Sequence, residues 1–292
     1  MTNLKKIASI ILIIVISGSF AMSQNKSQVY NECAGRNAIY KKVKDDRIGQ
    51  VESVLVESDG HGNAQGNQYD LAVDGAFEGQ TITVLHLYNF DFTNTEAALK
   101  EKGFSVYRYI NAVPSAKELE ESLSKSCQFW LISSNVRMLT EEHVKVIKKF
   151  FDEGHGVYIW GDNEPFYADA NYLAEALFGG QMLGDYSGAN VVGLKDKRNN
   201  SGLVQSHLIT TGLQFIYEGI TIASIQDNQS LKPLIYNSEG NIVTATYESN
   251  GKRAILDGGF TRLYVSWDEA GTGRYVKNAA AWLVNVEAFE EK

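Results

Sequence analysis

The feature that most constrains this chain is an alternation of strand-like and helix-like segments that begins at Thr81 and repeats four times with short connections. Thr81 to Tyr88 is an almost continuous β-branched and apolar run bounded by polar residues, as expected of a strand buried on both faces of a parallel sheet. Thr95 to Lys102 reads as a short helix stopped by Gly103, a natural C′ residue. Phe104 to Ile110 is the next strand. Ser115 can then cap a helix through Lys125, with Leu119 and Leu123 one turn apart on its inner face. Cys127 to Ser133 returns as a third strand. The fourth unit is the clearest. Thr140 stands at an N-cap, Glu141 and Glu142 face the positive helix end, and Val144, Ile147 and Phe151 follow at helical spacing before Gly154. Gly156 to Gly161 is then a strand that ends abruptly. Such an alternation requires a parallel sheet covered by helices on both faces.

The flanks have a different texture. After Gly179-Gly180 come short strand-like runs at 190–194, 219–225, 233–236 and 242–247, separated by hairpin material such as Asn237 to Asn241 and Ser249-Asn250-Gly251-Lys252. They read as a β-rich insertion near residues 185–250. Arg253 to Gly259 looks like a last core strand, and Gly273 to Val286 like a closing helix. Upstream, residues 24–80 form an N-terminal extension in which Val51 to Glu57 is strand-like. Asp70 to Asp74 suggests a further short strand, and Lys41-Lys42-Val43-Lys44 reads as a solvated helix face. Asp59-Gly60-His61-Gly62-Asn63 invites comparison with a calcium loop. It lacks the alternating acidic spacing and terminal Glu of an EF-hand, so a plain turn is the better reading.

Residues 1–23 have the layout of a secretory signal peptide: Lys5 and Lys6, the apolar run Ile7 to Ile16, then Ala21-Met22-Ser23 as a small-x-small cleavage site. The expectation is an exported protein, periplasmic or extracellular, with no membrane segment after cleavage. Loss of the two lysines moves the formal charge from -8 to about -10, which argues against nucleic acid or anionic membrane as a partner. Two cysteines remain, Cys33 and Cys127. In an oxidising compartment they can pair, or they can be independent thiols. No histidine pair has metal-ligand spacing, and no cofactor motif stands out.

Ligands of parallel α/β sheets bind beyond the carboxyl ends of the strands. There, Gly161-Asp162-Asn163-Glu164-Pro165-Phe166-Tyr167 joins the fourth strand to a helix from Ala170 to Phe178, the layout of a nucleophile elbow. His207-Leu208-Ile209-Thr210-Thr211-Gly212-Leu213 is similar to the His-Pro-Ile-Thr-x-Gly-Leu turn of class I glutamine amidotransferase-like and trehalose-utilisation-like proteins. Gly251 to Phe260, followed by Asn278 to Leu283, looks like their final strand and helix. The resemblance spans about residues 80–286. It implies a flavodoxin-like three-layer α/β sandwich for the domain at 81–292. It also implies a cysteine in a Gly-x-Cys-x-Gly elbow, where this sequence offers Asp162 or Asn163, neither of them able to form a thiolate. Amidotransferase chemistry is therefore not expected.

What stands at that face is Asp162, Glu164 and Asp169, interleaved with Trp160, Phe166 and Tyr167. They can form a pocket for a cation, a sugar or a cationic ligand, or they can be turn and helix caps. Arg262 and Arg274, in the loop after the last core strand, can pair with the acidic elbow or hold an anion; the competing reading is internal salt bridges, with Trp267 anchoring the final helix. The leading functional expectation is a non-enzymatic module that binds a small molecule or a protein through Asp162, Asn163, Glu164, Arg262 and Trp267. The alternative is a hydrolase that uses Asp162 or Glu164 in place of cysteine.

Overall fold

The computed structural model describes residues 40–44, 47, 49–198 and 200–286. The apolar leader and Cys33, on which export and the cysteine pairing rest, lie outside the described residues. The chain divides into two compact units, residues 1–64 and 65–292.

In the first unit, β1 (Tyr40–Lys44) pairs antiparallel with β2 (Val51–Leu55). The lysine-rich segment is thus a strand and not the helix face its charge pattern suggests: Val43 lies opposite Glu52, and the pairing supplies the backbone partners that so short a segment could not obtain as a helix. Residues 59–63 form a plain turn. The Asp59 carboxylate accepts hydrogen bonds from the His61 and Asn63 amides, both at 2.9 Å, and one from Asn63 Nδ2 at 3.2 Å.

The second unit is built on an eight-stranded sheet. Its first five strands are parallel: β3 (Thr81–His86), β4 (Ser105–Ile110), β5 (Gln128–Ile132), β6 (Gly156–Trp160) and, much later in the chain, β14 (Lys252–Asp257). They lie in the order β4-β3-β5-β6-β14, the doubly wound flavodoxin-like arrangement, with ladders parallel throughout.

The β-rich segment divides between two destinations. β7 (Met182–Ser187) pairs with β11 (Thr221–Ile225), and β8 (Val191–Val192) with β10 (Ile216–Tyr217), in two small antiparallel sheets. β9 (Gly202–Leu203), β12 (Lys232–Tyr236) and β13 (Ile242–Ser249) instead extend the main sheet antiparallel beyond β14. The hairpins expected at 237–241 and 249–252 join β12 to β13 and β13 to β14. Asn250 and Gly251 both have positive φ, as a two-residue hairpin loop requires.

Among the described residues, five helices cover the sheet: α1 (Thr93–Glu101), α2 (Ala116–Leu123), α3 (Glu141–Asp152), α4 (Ala168–Phe178) and α5 (Thr272–Leu283). One buried cluster combines Leu99 of α1 and Val276 of α5 with Ile82, Val84, Trp130 and Trp160. The other combines Leu119, Ile147 and Leu173 of α2, α3 and α4 with Leu85, Phe129, Leu131 and Ile159. Alternate residues of one strand therefore enter different cores. The caps predicted at Ser115 and Thr140 form, while Asp169 lies inside α4 and does not cap it. Ser115 and Glu118 make a reciprocal capping box on α2, and Thr140 with His143 makes one on α3, where Thr140 Oγ1 lies 2.8 Å from His143 Nδ1.

Residues 65–80 belong to this unit. Asp70 to Asp74 is not a strand; a 3₁₀ turn at Asn67–Tyr69 leads into successive bends. What fixes this segment is charge. The Asp70 carboxylate, 1% exposed, receives Lys102 at 2.9 Å, Arg274 at 2.8 Å and Lys277 at 2.8 Å. Burial alone would raise the Asp70 carboxyl, but hydrogen bonds from Lys277, Arg274 and Lys102 outweigh it and hold the group below the usual carboxylate range. Gly103, at φ 97°, ends α1 where a Cβ would strike the backbone of Phe77 and Glu78.

Candidate functional site

The sharp end of β6 is made by Gly161, whose missing side chain lets Met182 Sδ and Tyr167 Cβ approach the backbone. Residues 162–166 then form a closed turn: the Phe166 amide donates to Asn163 O at 2.7 Å and the Asp162 amide to Phe166 O at 3.3 Å, around a cis Glu164–Pro165 bond. The Glu164 amide donates to Gly184 O at 3.0 Å, tying the turn to β7. Of the three acidic-turn residues, Glu164 is exposed, Asn163 is half-buried and Asp162 is 1% exposed.

Asp162 sits inside a ring of donors. Its Oδ1 accepts from the Asn163 amide at 2.9 Å and from Thr221 Oγ1 at 2.6 Å, and its Oδ2 accepts from the Thr261 amide at 3.1 Å. Burial pushes its carboxyl up to about 6, and the hydrogen bonds from Thr221, Asn163 and Thr261 oppose that rise without cancelling it. Asp162 therefore joins three separated pieces of chain: the elbow, β11 and the loop after β14. Asp169 does something similar next door. Its buried carboxylate accepts from the Met138 and Leu139 amides at 2.9 and 2.8 Å and so holds the β5–α3 connection.

Arg262 has no exposed surface, and its guanidinium turns away from the elbow. Nη1 donates to Asp257 Oδ2 at 3.2 Å and Nη2 to Glu218 O at 3.0 Å. Asp257 Oδ2 also accepts from Tyr275 Oη at 2.6 Å and Tyr158 Oη at 3.2 Å, while the Gly259 amide donates to Oδ1 at 3.1 Å. Arg274 reaches Asp70. Neither arginine meets the acidic elbow; of the two readings the sequence left open, the internal salt bridge is the one that forms, Arg262 with Asp257 and Arg274 with Asp70. Trp267 is half-buried and packs against the core on the α5 side.

The space over the carboxyl ends of the strands is filled with rings. Phe260, 1% exposed, stacks on Tyr88 and Phe90 with centroids 5.4 and 5.8 Å away, and Phe166 meets Tyr88 at 5.0 Å. Tyr264 stacks on Phe90 at 4.4 Å, its phenol pushed up to about 12 by burial and by neighbouring Tyr88 and Asp162. Beneath them His86, fully buried, lies between Phe90 and Phe92. Burial and the nearby Arg108 push its imidazole down to about 4, so it is neutral. Among the described residues, no three His, Cys, Asp or Glu side chains are grouped so as to hold a metal ion. Cys127 stands just before β5, and burial pushes its thiol up to about 12, away from the thiolate that nucleophilic chemistry requires.

An open cavity of about 520 Å³ lies elsewhere, between α2 and the edge of the sheet at β3 and β4. Tyr107 and Tyr109 of β4, Thr81 and Thr83 of β3, and Glu121 and Lys125 line it. Sequence reasoning misses it because Thr81 to Tyr88 reads as one buried run. The available signal is the alternation: Thr81 and Thr83 share a face, and the register sets Thr83 against Tyr107, so that face carries hydroxyls where aliphatic side chains would be expected.

No family model matches the chain, and no curated protein does. Among solved structures it is similar to a Thermoplasma acidophilum protein described as a GMP synthase component, with 12% identity over 74% of this chain and 100% of that one, at a TM-score of 0.46. It is also similar to ThuA-like proteins from Bacteroides uniformis and Parabacteroides merdae. The first has 12% identity over 70% of this chain and 91% of that one, with a TM-score of 0.46. The second has 14% identity over 71% and 90%, with a TM-score of 0.47. At these identities the likeness is one of architecture.

Proposed function

We propose that this chain is an exported, non-enzymatic binding module whose elbow is a structural joint. The observation that carries the reading is the Asp162 carboxylate: 1% exposed, with both oxygens engaged by donors from three segments of its own chain. A nucleophile or general acid needs a path to substrate, and here the carboxylate is buried in a turn whose Phe166 packs on Phe260. Export is supported by the leader-like residues 1–23.

A hydrolase that uses Asp162 is favoured by one fact, the rise of its carboxyl to about 6, which suits general acid catalysis. Desolvation inside a packed joint produces the same rise. The two readings part in a single experiment. Purified wild type and Asp162→Asn are assayed against chromogenic esters, amides and glycosides. The binding-module reading expects no turnover that depends on Asp162; turnover by wild type that the Asn variant loses would establish the hydrolase.

A further inference from the structure

We infer that the cleft between α2 and the β3–β4 edge is a binding site for a neutral carbohydrate, an inference that rests on the binding-module reading and gives it a ligand class. The cleft exists because α2 is short. Its eight residues span only about 12 Å, and Leu119 and Leu123 dock it, so part of the β3–β4 surface stays uncovered. At about 520 Å³ the opening falls within the usual range for small-molecule sites.

Its chemistry suits a polyol. Tyr107 is 51% exposed and meets Tyr109 edge-on, with ring centroids 5.2 Å apart at 86°. Tyr109 is itself held by a 2.7 Å hydrogen bond to Ser122 Oγ. An aromatic platform is thus already positioned on strand and helix, which lowers the ordering cost of binding. The electron-rich face of such a ring attracts the polarised C–H bonds of a pyranose. Around it stand acceptors and donors of both signs. Glu118 is engaged by the α2 cap, through Ser115. Glu121 has only a 3.9 Å contact with Lys117, with both side chains exposed, so its carboxylate keeps acceptor capacity for hydroxyls. Lys125 lines the same cleft and supplies donors. Glu118 and Glu121 outnumber Lys125 in the lining, so an anionic ligand gains no net attraction, while a ligand that both donates and accepts can use each group.

The test is calorimetric titration of the full chain with glucose, cellobiose and maltose, repeated on Tyr107→Ala, Tyr107→Phe and Glu121→Gln. At least one sugar should bind wild type and Tyr107→Phe alike, lose tenfold or more in affinity on Tyr107→Ala, and lose severalfold on Glu121→Gln. No binding of any of the three, or binding that Tyr107→Ala leaves unchanged, overturns the carbohydrate assignment. Glutamate and inorganic phosphate are titrated in parallel. Binding of either that is lost on Tyr107→Ala, with the sugars silent, also overturns that assignment while the binding-module reading stands. Asp162-dependent turnover would remove the underlying reading instead.

Discussion

The carboxyl end of this sheet and the flank beside α2 are built from similar side chains, carboxylates, tyrosines and a cation, yet they do opposite things. At the strand ends, Asp162, Asp257 and Arg262 are each at most 1% exposed and partnered within the fold. At the flank, Tyr107 and Glu121 are largely exposed and face open space. The lesson is that a fold's customary site is only a location. Whether it is a pocket depends on what the loops put there, and here Tyr88, Phe90, Phe166 and Phe260 fill it.

The contrast can be broken by substitution. Arg262→Met leaves Asp257 as a buried, uncompensated charge, and should lower stability by about 4 kcal/mol in chemical denaturation. A loss near zero would mean that the strand-end face is more open than the geometry allows. Phe260→Ala removes the ring at the centre of the aromatic stack. It should lose about 3 kcal/mol, because Tyr88 and Phe90 can only partly collapse into the space.

Asp162 supplies a pH test. A carboxyl raised from 3.8 to about 6 in the folded state contributes stability that is full below pH 3.8 and lost as pH rises through about 6. Between pH 5 and 8 the wild type should therefore lose a little over 1 kcal/mol relative to Asp162→Asn. A flat difference would show that Asp162 is not desolvated. Smallest of all, Tyr107→Ala should shift stability by less than about 1 kcal/mol, since half of that ring already faces water. A larger loss would make Tyr107 a packing residue and would weaken the contrast from the other side.

Much of the architecture was legible in the residues. The helix capped by Thr140 forms at Glu141–Asp152, and the hairpin at Asn250-Gly251 forms where its turn residues stand, because caps and turns are local chemistry. The β-rich segment was harder. Nothing local told β12 and β13, which join the main sheet, from β7 and β11, which do not; that choice is made by which faces find cover. The elbow was found, but its meaning was hidden. Asp162 owes its burial to Thr221 and Thr261, residues 59 and 99 positions away, and no spacing rule links such partners. The sequence left Arg262 between the elbow and an internal salt bridge, and packing turns it toward Asp257.

The position of β14 has a consequence for how the molecule is made. It lies between β6 and β13, in the interior of the main sheet, yet it ends at Asp257. A chain emerging from the ribosome can assemble β3 to β6 early, but β6 keeps a bare edge for roughly another hundred residues, and Asp70 waits longer still for Arg274 and Lys277. Until β14 has been made, β6 has no partner on that side and the main sheet stays incomplete.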